Sequence, residues 1–193
     1  REMGQVRFCD TYYDTADCTL TRDDTWLRKR GDQWELKLPI EDDARRSGGE
    51  RTVFREVEGG EQVAQELRRL RPDRFMVEAE GEELLDQIVR SAELSSFAEF
   101  ETVRSKLSLG QCMIDLDAAS FGVSLIEIEV MCESAEQVPA AEAEIERVAG
   151  LLGAQPLGPG TGGKLETYIR RYCPEVLSQL VEAGVLQASA NAQ

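Results

Sequence analysis

The sequence predicts an α+β fold: a closed, mostly antiparallel β-barrel with a charged interior and helices packed on its outside. Several short segments alternate apolar and charged residues, as strands do when one face is apolar and the other charged. Other segments space their apolar residues at the helical period. Basic and acidic residues are also grouped on different strands, which favours closure of the barrel.

The first half of the chain is predicted to form short strands and then helices. Strands are predicted at 6–15, 25–30, 34–39 and 52–57, and the second and third flank a hairpin-like turn at Gly31-Asp32. The polar segment 40–49 is predicted to be a mobile loop. The apolar spacing then becomes helical at Val63, Leu67 and Leu70, and again over 84–89.

Strands return in the second half and give way to helices. They are predicted at 97–109, 111–117 and 124–132, with a turn at Gly110. A helix at 135–152 ends at Gly153, and a glycine-rich connection at 157–163 precedes helices at 164–172 and 174–183. No linker divides the chain, so we predict one domain over 1–183 and a disordered tail over 184–193.

The charged faces of the strands are grouped by sign. Glu127 and Glu129 share one face of their strand, as Asp115 and Asp117 share one face of theirs. Trp26, Arg28 and Arg30 share a face in the same way, and so do Glu35 and Lys37. Such faces could simply be solvated in an open sheet. Basic and acidic residues that lie on different strands favour a closed barrel in which they face one another.

Composition excludes several classes of protein. The net charge of −15 argues against a nucleic-acid partner. No run of eighteen apolar residues occurs, so no membrane span is expected. The five cysteines lack CxxC spacing, which argues against a zinc site or disulfide framework and favours the reducing cytoplasm. Histidine is absent, so acid–base chemistry would have to use carboxylates, lysine, tyrosine or metal-bound water. We expect a cytoplasmic monomer.

A cavity that contains both signs of charge suits a metal-bound polyphosphate. Triphosphate oxygens are bound by Arg and Lys donors, and by arginine in bidentate fashion. The Mg²⁺ ion that accompanies a triphosphate needs hard carboxylate oxygens beside the phosphates. The predicted interior would supply both sets of groups.

An ordered series of motifs resembles the CYTH superfamily, and its thiamine triphosphatases most closely. The series runs along nearly the whole chain: Asp10-Thr11-Tyr12-Tyr13-Asp14-Thr15, Trp26-Leu27-Arg28-Lys29-Arg30, Trp34-Glu35-Leu36-Lys37, Asp115-Leu116-Asp117 with Phe121-Gly122, Glu127-Ile128-Glu129, and Lys164 with Tyr168. The ExExK signature of the family's first strand is absent. Residue 1 would correspond to a point after that strand and its helix, and we expect the strand to lie upstream.

The resemblance implies a triphosphate tunnel that hydrolyses thiamine triphosphate to thiamine diphosphate and phosphate with Mg²⁺. By match to the family's motifs, Arg28, Arg30, Arg104 and Lys164 would bind phosphate oxygens. The carboxylates of Asp115, Glu127 and Glu129 would hold Mg²⁺, with Glu56 completing the acidic group. Tyr12 and Lys37 match positions that assist activation of the attacking water.

Some assignments have alternatives. Trp26 could stack on a thiazolium ring by a cation–π contact, or it could be a core aromatic. Lys106 shares the face of Arg104 and could be the phosphate ligand in its place, and Asp117 could only support Asp115. The glycines before Lys164 lack the spacing of a P-loop, so a Walker nucleotide site is rejected.

Three other functions compete with thiamine triphosphate hydrolysis. A relative acting on inorganic triphosphate would need no aromatic platform. An adenylate cyclase would need a nucleoside site, which the sequence does not reveal. A non-catalytic polyphosphate-binding module would be favoured by a true loss of the first strand. Phosphate release with Mg²⁺ separates an enzyme from a binding module.

Overall fold

The computed structural model describes residues 1–40, 53–78, 80–81, 83–157 and 162–188. The predicted loop at 40–49 lies outside these ranges except for its first residue, and residues 158–161 of the predicted glycine-rich connection lie outside them too. The chain divides into two compact units: a larger unit (Cys9–Glu99 with Pro159–Gln193) and a smaller unit (Arg1–Phe8 with Phe100–Gly158). One domain over 1–183 stays a prediction, as does the tail.

The elements follow one another as the sequence predicts. The strands are β1 (Glu2–Asp14), β2 (Trp26–Arg30), β3 (Gln33–Pro39), β4 (Phe54–Glu58), β5 (Ser95–Leu109), β6 (Cys112–Ala119) and β7 (Val123–Glu129). The helices are α1 (Gly60–Leu70), α2 (Pro72–Phe75), α3 (Glu83–Ser91), α4 (Val138–Leu152), α5 (Lys164–Tyr172) and α6 (Pro174–Glu182). Among the described residues, no helix is long and apolar enough to cross a membrane.

Hydrogen bonding connects the seven strands in the order β4-β3-β2-β1-β5-β6-β7. The pairs β1–β2, β2–β3, β3–β4, β5–β6 and β6–β7 are antiparallel. The predicted α+β class with an antiparallel sheet is therefore confirmed. β4 and β7 stand at the two ends of the order, so closure of the barrel stays a prediction.

The larger unit buries the apolar faces of β2 and β3 against helices. Leu27 and Leu36 are paired across the two strands, and both are almost fully buried. They belong to one core cluster with Val63 and Leu67 of α1 and Ile88 of α3. Arg28, Glu35 and Lys37 alternate with these leucines and lie on the opposite face of β2 and β3. The predicted split between an apolar and a charged face is therefore confirmed here.

Helix α2 was not predicted, because its four residues are too short to show a period. Its Phe75 is nevertheless completely buried in the same core cluster.

The smaller unit covers only part of its apolar strand face. Ile114 and Ile128 are paired across β6 and β7 and pack with Val148 of α4. The next apolar pair, Leu116 and Ile126, is 39% and 45% exposed. Helix α4 therefore covers the apolar face of β6 and β7 at Ile114 and Ile128, and the pair Leu116 and Ile126 is left exposed.

Two glycines make the tight turns of the hairpins. Gly31 has φ +58° between the paired residues Arg30 and Gln33, and Gly110 has φ +61° between Leu109 and Cys112. Residues with a side chain rarely adopt this left-handed conformation, so these positions favour glycine.

Two strand boundaries differ from the prediction. β1 begins at Glu2 rather than at 6, because polar pairs such as Gln5 with Ser105 extend it without any apolar signal. β7 ends at Glu129 rather than at 132. Its last partner is Met113, and β6 begins one residue earlier at Cys112, so in this register residues 131 and 132 have no β6 residue opposite them.

The core of the larger unit can be tested at α1. Leu67 is completely buried, and Leu67→Ala should lower the free energy of unfolding by about 2–5 kcal/mol through lost burial and a cavity. Gln65→Ala, at an exposed position of the same helix, should change it by less than about 0.5 kcal/mol. Urea unfolding measures both, and similar losses would contradict the placement of α1.

Candidate functional site

An arginine cluster lies on the charged face of β1 to β4 in the larger unit. We use this name for Asp10, Tyr12, Arg28, Arg30, Glu35, Lys37 and Glu56. The strand register aligns these seven residues and Trp26 in three neighbouring rows. The rows are Asp10 with Arg30, Tyr12 with Arg28 and Glu35, and Trp26 with Lys37 and Glu56. The structure thus brings together six of the residues singled out by the sequence on one face of the sheet: Tyr12, Trp26, Arg28, Arg30, Lys37 and Glu56.

Asp10 holds the first row. Its carboxylate is completely buried and accepts two hydrogen bonds from Arg30, at 2.6 Å from Nε and 2.8 Å from Nη2. Arg28 Nη1 lies 3.8 Å from the same carboxylate. A buried carboxylate is stable only when it is paired and hydrogen-bonded. The contacts with these two guanidiniums therefore allow Asp10 to be buried.

Arg28 in the second row is only 9% exposed and donates from Nε to Glu35 Oε2 at 2.7 Å. Burial alone would lower the pKa of Arg28, but the Tyr12 hydroxyl and the carboxylates of Asp10 and Glu35 outweigh it and raise the pKa. Arg28 therefore keeps its positive charge despite its burial.

The third row contains an ion pair and an indole ring. Lys37 Nζ lies 2.7 Å from Glu56 Oε1. Burial would raise the pKa of Glu56, but the hydrogen bond and the charge of Lys37 lower it. Trp26 is partly buried and donates from its indole nitrogen to Asp24 Oδ1 at 2.9 Å.

Lys164 is the first residue of α5, and only 7% of it is exposed. A buried lysine in the first turn opposes the helix dipole, which favours anions at that end. Its ammonium and the helix N-terminus would together attract a phosphate.

The smaller unit contains an acidic cluster, by which we mean Arg104 with Asp115, Asp117 and Glu127. Arg104 donates to both oxygens of Asp117 at 2.7 Å and to Glu127 at 2.6 Å, and its Nη1 lies 2.5 Å from Asp115 Oδ2. The guanidinium also lies 5.3 Å from the ring centroid of Phe8. Burial would lower the pKa of Arg104, but Asp117 and the other two carboxylates outweigh it and raise the pKa.

The acidic cluster has features that fit a divalent cation. Oδ1 of Asp115 is buried and has no hydrogen-bond partner in the described part of the chain. Glu127 stands directly opposite Asp115 across β6 and β7, and the exposed Glu129 follows two residues along the same face. One guanidinium against three carboxylates leaves a formal charge of −2. Hard carboxylate oxygens with an excess negative charge suit Mg²⁺.

The carboxylates of the acidic cluster do not converge on one metal position in this structure. Within the described residues, no three acidic or cysteine side chains are arranged to hold a metal ion. Arg104 contacts all three carboxylates of the cluster, so a cation would have to displace some of these contacts. The predicted metal roles of Asp115, Glu127, Glu129 and Glu56 stay predictions.

The structure shows where Asp117 and Lys106 lie relative to Arg104. Asp117 contacts Arg104 through both oxygens, so it positions that arginine. Lys106 lies one row from Arg104, opposite Asp115, and makes no ion pair within the described ranges. Whether Arg104 or Lys106 binds phosphate stays open.

Sequence reasoning missed the partners of the arginines. Asp10 and Glu35 lie within the motifs that resemble the family, but the sequence did not predict that they bind the arginines. Asp10 lies two residues from Tyr12, so its parity on β1 already placed it on the charged face. The strand register, which the sequence does not give, is what sets it beside Arg30.

Comparison with known proteins agrees with this architecture. The family model described as the CYTH domain matches residues 2–157. Thiamine-triphosphatase from Homo sapiens is 34% identical over 193 residues, which covers 93% of this chain and 79% of that protein. Thiamine-triphosphatase from Macaca fascicularis is 32% identical over 192 residues with the same coverage.

Solved structures share the fold. A protein from Pyrococcus horikoshii OT3 superposes with a TM-score of 0.59 at 20% identity, covering 89% of this chain and 88% of that one. A protein from Hippeastrum, described as an adenylyl cyclase that reveals a dominant triphosphatase activity, gives a TM-score of 0.51 at 16% identity, covering 88% and 83%.

Antiparallel strands that carry arginines paired with carboxylates occur in each unit, and together with the helices they place the chain in the α+β class. The match to the CYTH domain and the identity to the two triphosphatases make the assignment specific: this chain belongs to the CYTH family. Its family and relatives support a hydrolase that acts on triphosphates.

Proposed function

We propose that this protein hydrolyses thiamine triphosphate to thiamine diphosphate and phosphate in a reaction that requires Mg²⁺. The observation that carries the proposal is the row order of the arginine cluster. Arg28 and Arg30 lie on the same face as Trp26, and Trp26 is paired with Lys37. Phosphate donors and an aromatic ring on one strand face suit a ligand with a polyphosphate chain and a cationic ring.

The phosphate chain would be bound by cations that already have fixed directions. Arg28 and Arg30 are each hydrogen-bonded to a carboxylate, which fixes the plane of the guanidinium before substrate arrives. Lys164 and Arg104 would contribute further positive charge. Phosphoryl transfer depends mostly on positioning and charge stabilisation, so fixed donors are what the reaction requires of the protein.

Asp115, Glu127 and Glu129 would hold the metal. When bound, Mg²⁺ would neutralise charge on the phosphate oxygens and on the leaving diphosphate. Oδ1 of Asp115 has no hydrogen-bond partner among the described residues, which supports this role, because a buried carboxylate oxygen without a donor is unfavourable until a cation or hydrogen bond satisfies it.

Tyr12 and Lys37 would orient the attacking water. Both side chains lie in the arginine cluster, where the Tyr12 hydroxyl contacts Arg28 and Lys37 contacts Glu56. An ordered hydroxyl and an ordered amine are groups that can position a water for in-line attack. The contact with Glu56 would have to open for Lys37 to reach that water.

The experiment is phosphate release with Mg²⁺ from thiamine triphosphate, inorganic tripolyphosphate and ATP. We expect the highest kcat/KM with thiamine triphosphate. Equal values for the first two substrates would favour an inorganic triphosphatase. Tight binding of all three without phosphate release would favour a polyphosphate-binding module.

Specificity is tested at Trp26. Trp26→Ala should lower kcat/KM for thiamine triphosphate roughly two- to thirtyfold more than for tripolyphosphate, since a cation–π contact contributes about 0.5–2 kcal/mol. Trp26→Phe keeps an aromatic face but not the hydrogen bond to Asp24, so it should retain most of the preference. An unchanged ratio in a folded alanine variant would place the ring elsewhere.

A further inference from the structure

The arginine cluster contains a buried carboxylate that the proposed chemistry does not use. Asp10 is completely buried, and within the described residues its carboxylate contacts two side chains, those of Arg28 and Arg30. An aspartate in a site for a polyanion should oppose binding, because its charge repels phosphate. Its presence there therefore needs a physical explanation.

We propose that Asp10 is a positioning residue, which fixes the two guanidiniums in the orientation that receives the phosphate chain. The inference rests on the proposed function and names a determinant of affinity at the same site. Arginine binds carboxylates through a planar fork, so two bonds from one edge fix the plane of Arg30. The second guanidinium, that of Arg28, would be repelled by Arg30 without a negative charge beside them.

Burial separates Asp10 from the other carboxylates of the cluster. The Glu56 side chain is 39% exposed, and that of Glu35 is 13% exposed. Both glutamates can move toward water when phosphate takes their place beside a cation. The Asp10 side chain is 0% exposed, so leaving Arg30 would strand an unpaired charge inside the protein. Asp10 therefore stays in place when substrate binds.

Asp14 provides a matched control on the same strand. It lies four residues from Asp10, so both side chains share one face of β1, and it is 3% exposed. Its carboxylate accepts hydrogen bonds from the backbone amides of Thr15, Leu20 and Thr21 at 2.7–3.0 Å. Burial raises the pKa of Asp14 despite these bonds. Asp14 thus matches Asp10 in burial but binds backbone rather than arginine.

The test compares Asp10→Asn with Asp14→Asn in the full chain. For thiamine triphosphate with Mg²⁺, we expect KM to rise roughly 10- to 100-fold in Asp10→Asn, the range found in metal sites when groups that orient the ligating side chains are removed. kcat should change much less. Asp14→Asn should keep the wild-type KM although its melting temperature falls. A purely structural role for Asp10 would lower the melting temperature without moving KM.

The direction of the change in KM shows whether Asp10 acts by positioning the two arginines or only through its negative charge. If Asp10 acted only through its negative charge, its removal would lower KM, because the site would become more positive. A KM that falls or stays unchanged in Asp10→Asn overturns the proposal, and so does an equal rise in Asp14→Asn. If Asp10→Asn shows no cooperative melting, Asp10→Glu replaces it. That variant keeps the charge and moves the carboxylate, so a wild-type KM there overturns the proposal.

The wild-type chain separates this inference from the proposed function. Thiamine triphosphate that binds in isothermal titration calorimetry but is not hydrolysed contradicts the proposed enzyme, and the dissociation constants of the same variants then decide the role of Asp10. A wild-type chain that neither binds nor hydrolyses thiamine triphosphate contradicts both.

Discussion

Arg28→Ala or Arg30→Ala is expected to weaken tripolyphosphate binding roughly 30- to 700-fold, because truncating a hydrogen-bonded charge in a binding site costs about 2–4 kcal/mol. Lys29→Ala should leave affinity within about twofold of the wild type. The contrast follows from the strand. Arg28 and Arg30 project with Tyr12 and Asp10, whereas the Lys29 ammonium lies 5.5 Å from the Trp34 ring centroid on the apolar side.

Isothermal titration calorimetry measures the three affinities, and thermal melting controls for folding. Both arginine variants should lose some stability, because Asp10 or Glu35 loses its partner. Titrations are therefore run well below each melting temperature. Equal effects at all three positions would mean that Lys29 shares the binding face, which would contradict the assigned faces of β2.

Removal of the metal is expected to have the other large effect. Excess chelator should abolish phosphate release, and Mg²⁺ should restore it better than Ca²⁺. Asp115→Asn and Glu127→Gln should each lower kcat on the order of 100-fold, because Mg²⁺ contributes several kcal/mol of charge stabilisation in the transition state. Each change removes one charged oxygen donor while keeping the shape of the side chain.

Glu146→Gln is the matched control for these carboxylate variants. Glu146 is exposed on α4 in the same unit, so its replacement should leave kcat unchanged. Asp115→Asn also weakens the contact with Arg104, so its melting temperature must be compared with that of Glu127→Gln. Full turnover of the wild type in excess chelator would contradict the metal requirement.

Periodicity was enough to predict the faces of the strands. Leu36 is completely buried in the core, while its neighbours Glu35 and Lys37 lie on the charged face, as alternation requires. The helices over 60–70 and 83–91 follow from apolar spacing in the same way. These features are local, and therefore a single sequence specifies them.

The ion-pair partners of the arginines on neighbouring strands could not be predicted. The sequence suggested that basic and acidic strands face one another, whereas Arg104 is bound to Asp117 on the adjacent strand, its direct register partner. Arg30 is likewise bound to Asp10 of the strand beside it. Alternation excludes a register shift of one residue, which would turn the charged face inward, but a shift of two residues keeps the faces and exchanges these partners. The exposure of Leu116 and Ile126 has a similar cause, because it depends on where α4 packs.

Phosphate release by the unmodified chain is the most direct test of thiamine triphosphate hydrolysis. With Mg²⁺ and thiamine triphosphate, we expect one phosphate and one thiamine diphosphate per substrate consumed, and no release in excess chelator. Detection of thiamine diphosphate by chromatography identifies the bond that is cleaved. A folded chain that consumes no thiamine triphosphate with Mg²⁺ present, or that consumes it equally well in chelator, would contradict Mg²⁺-dependent hydrolysis.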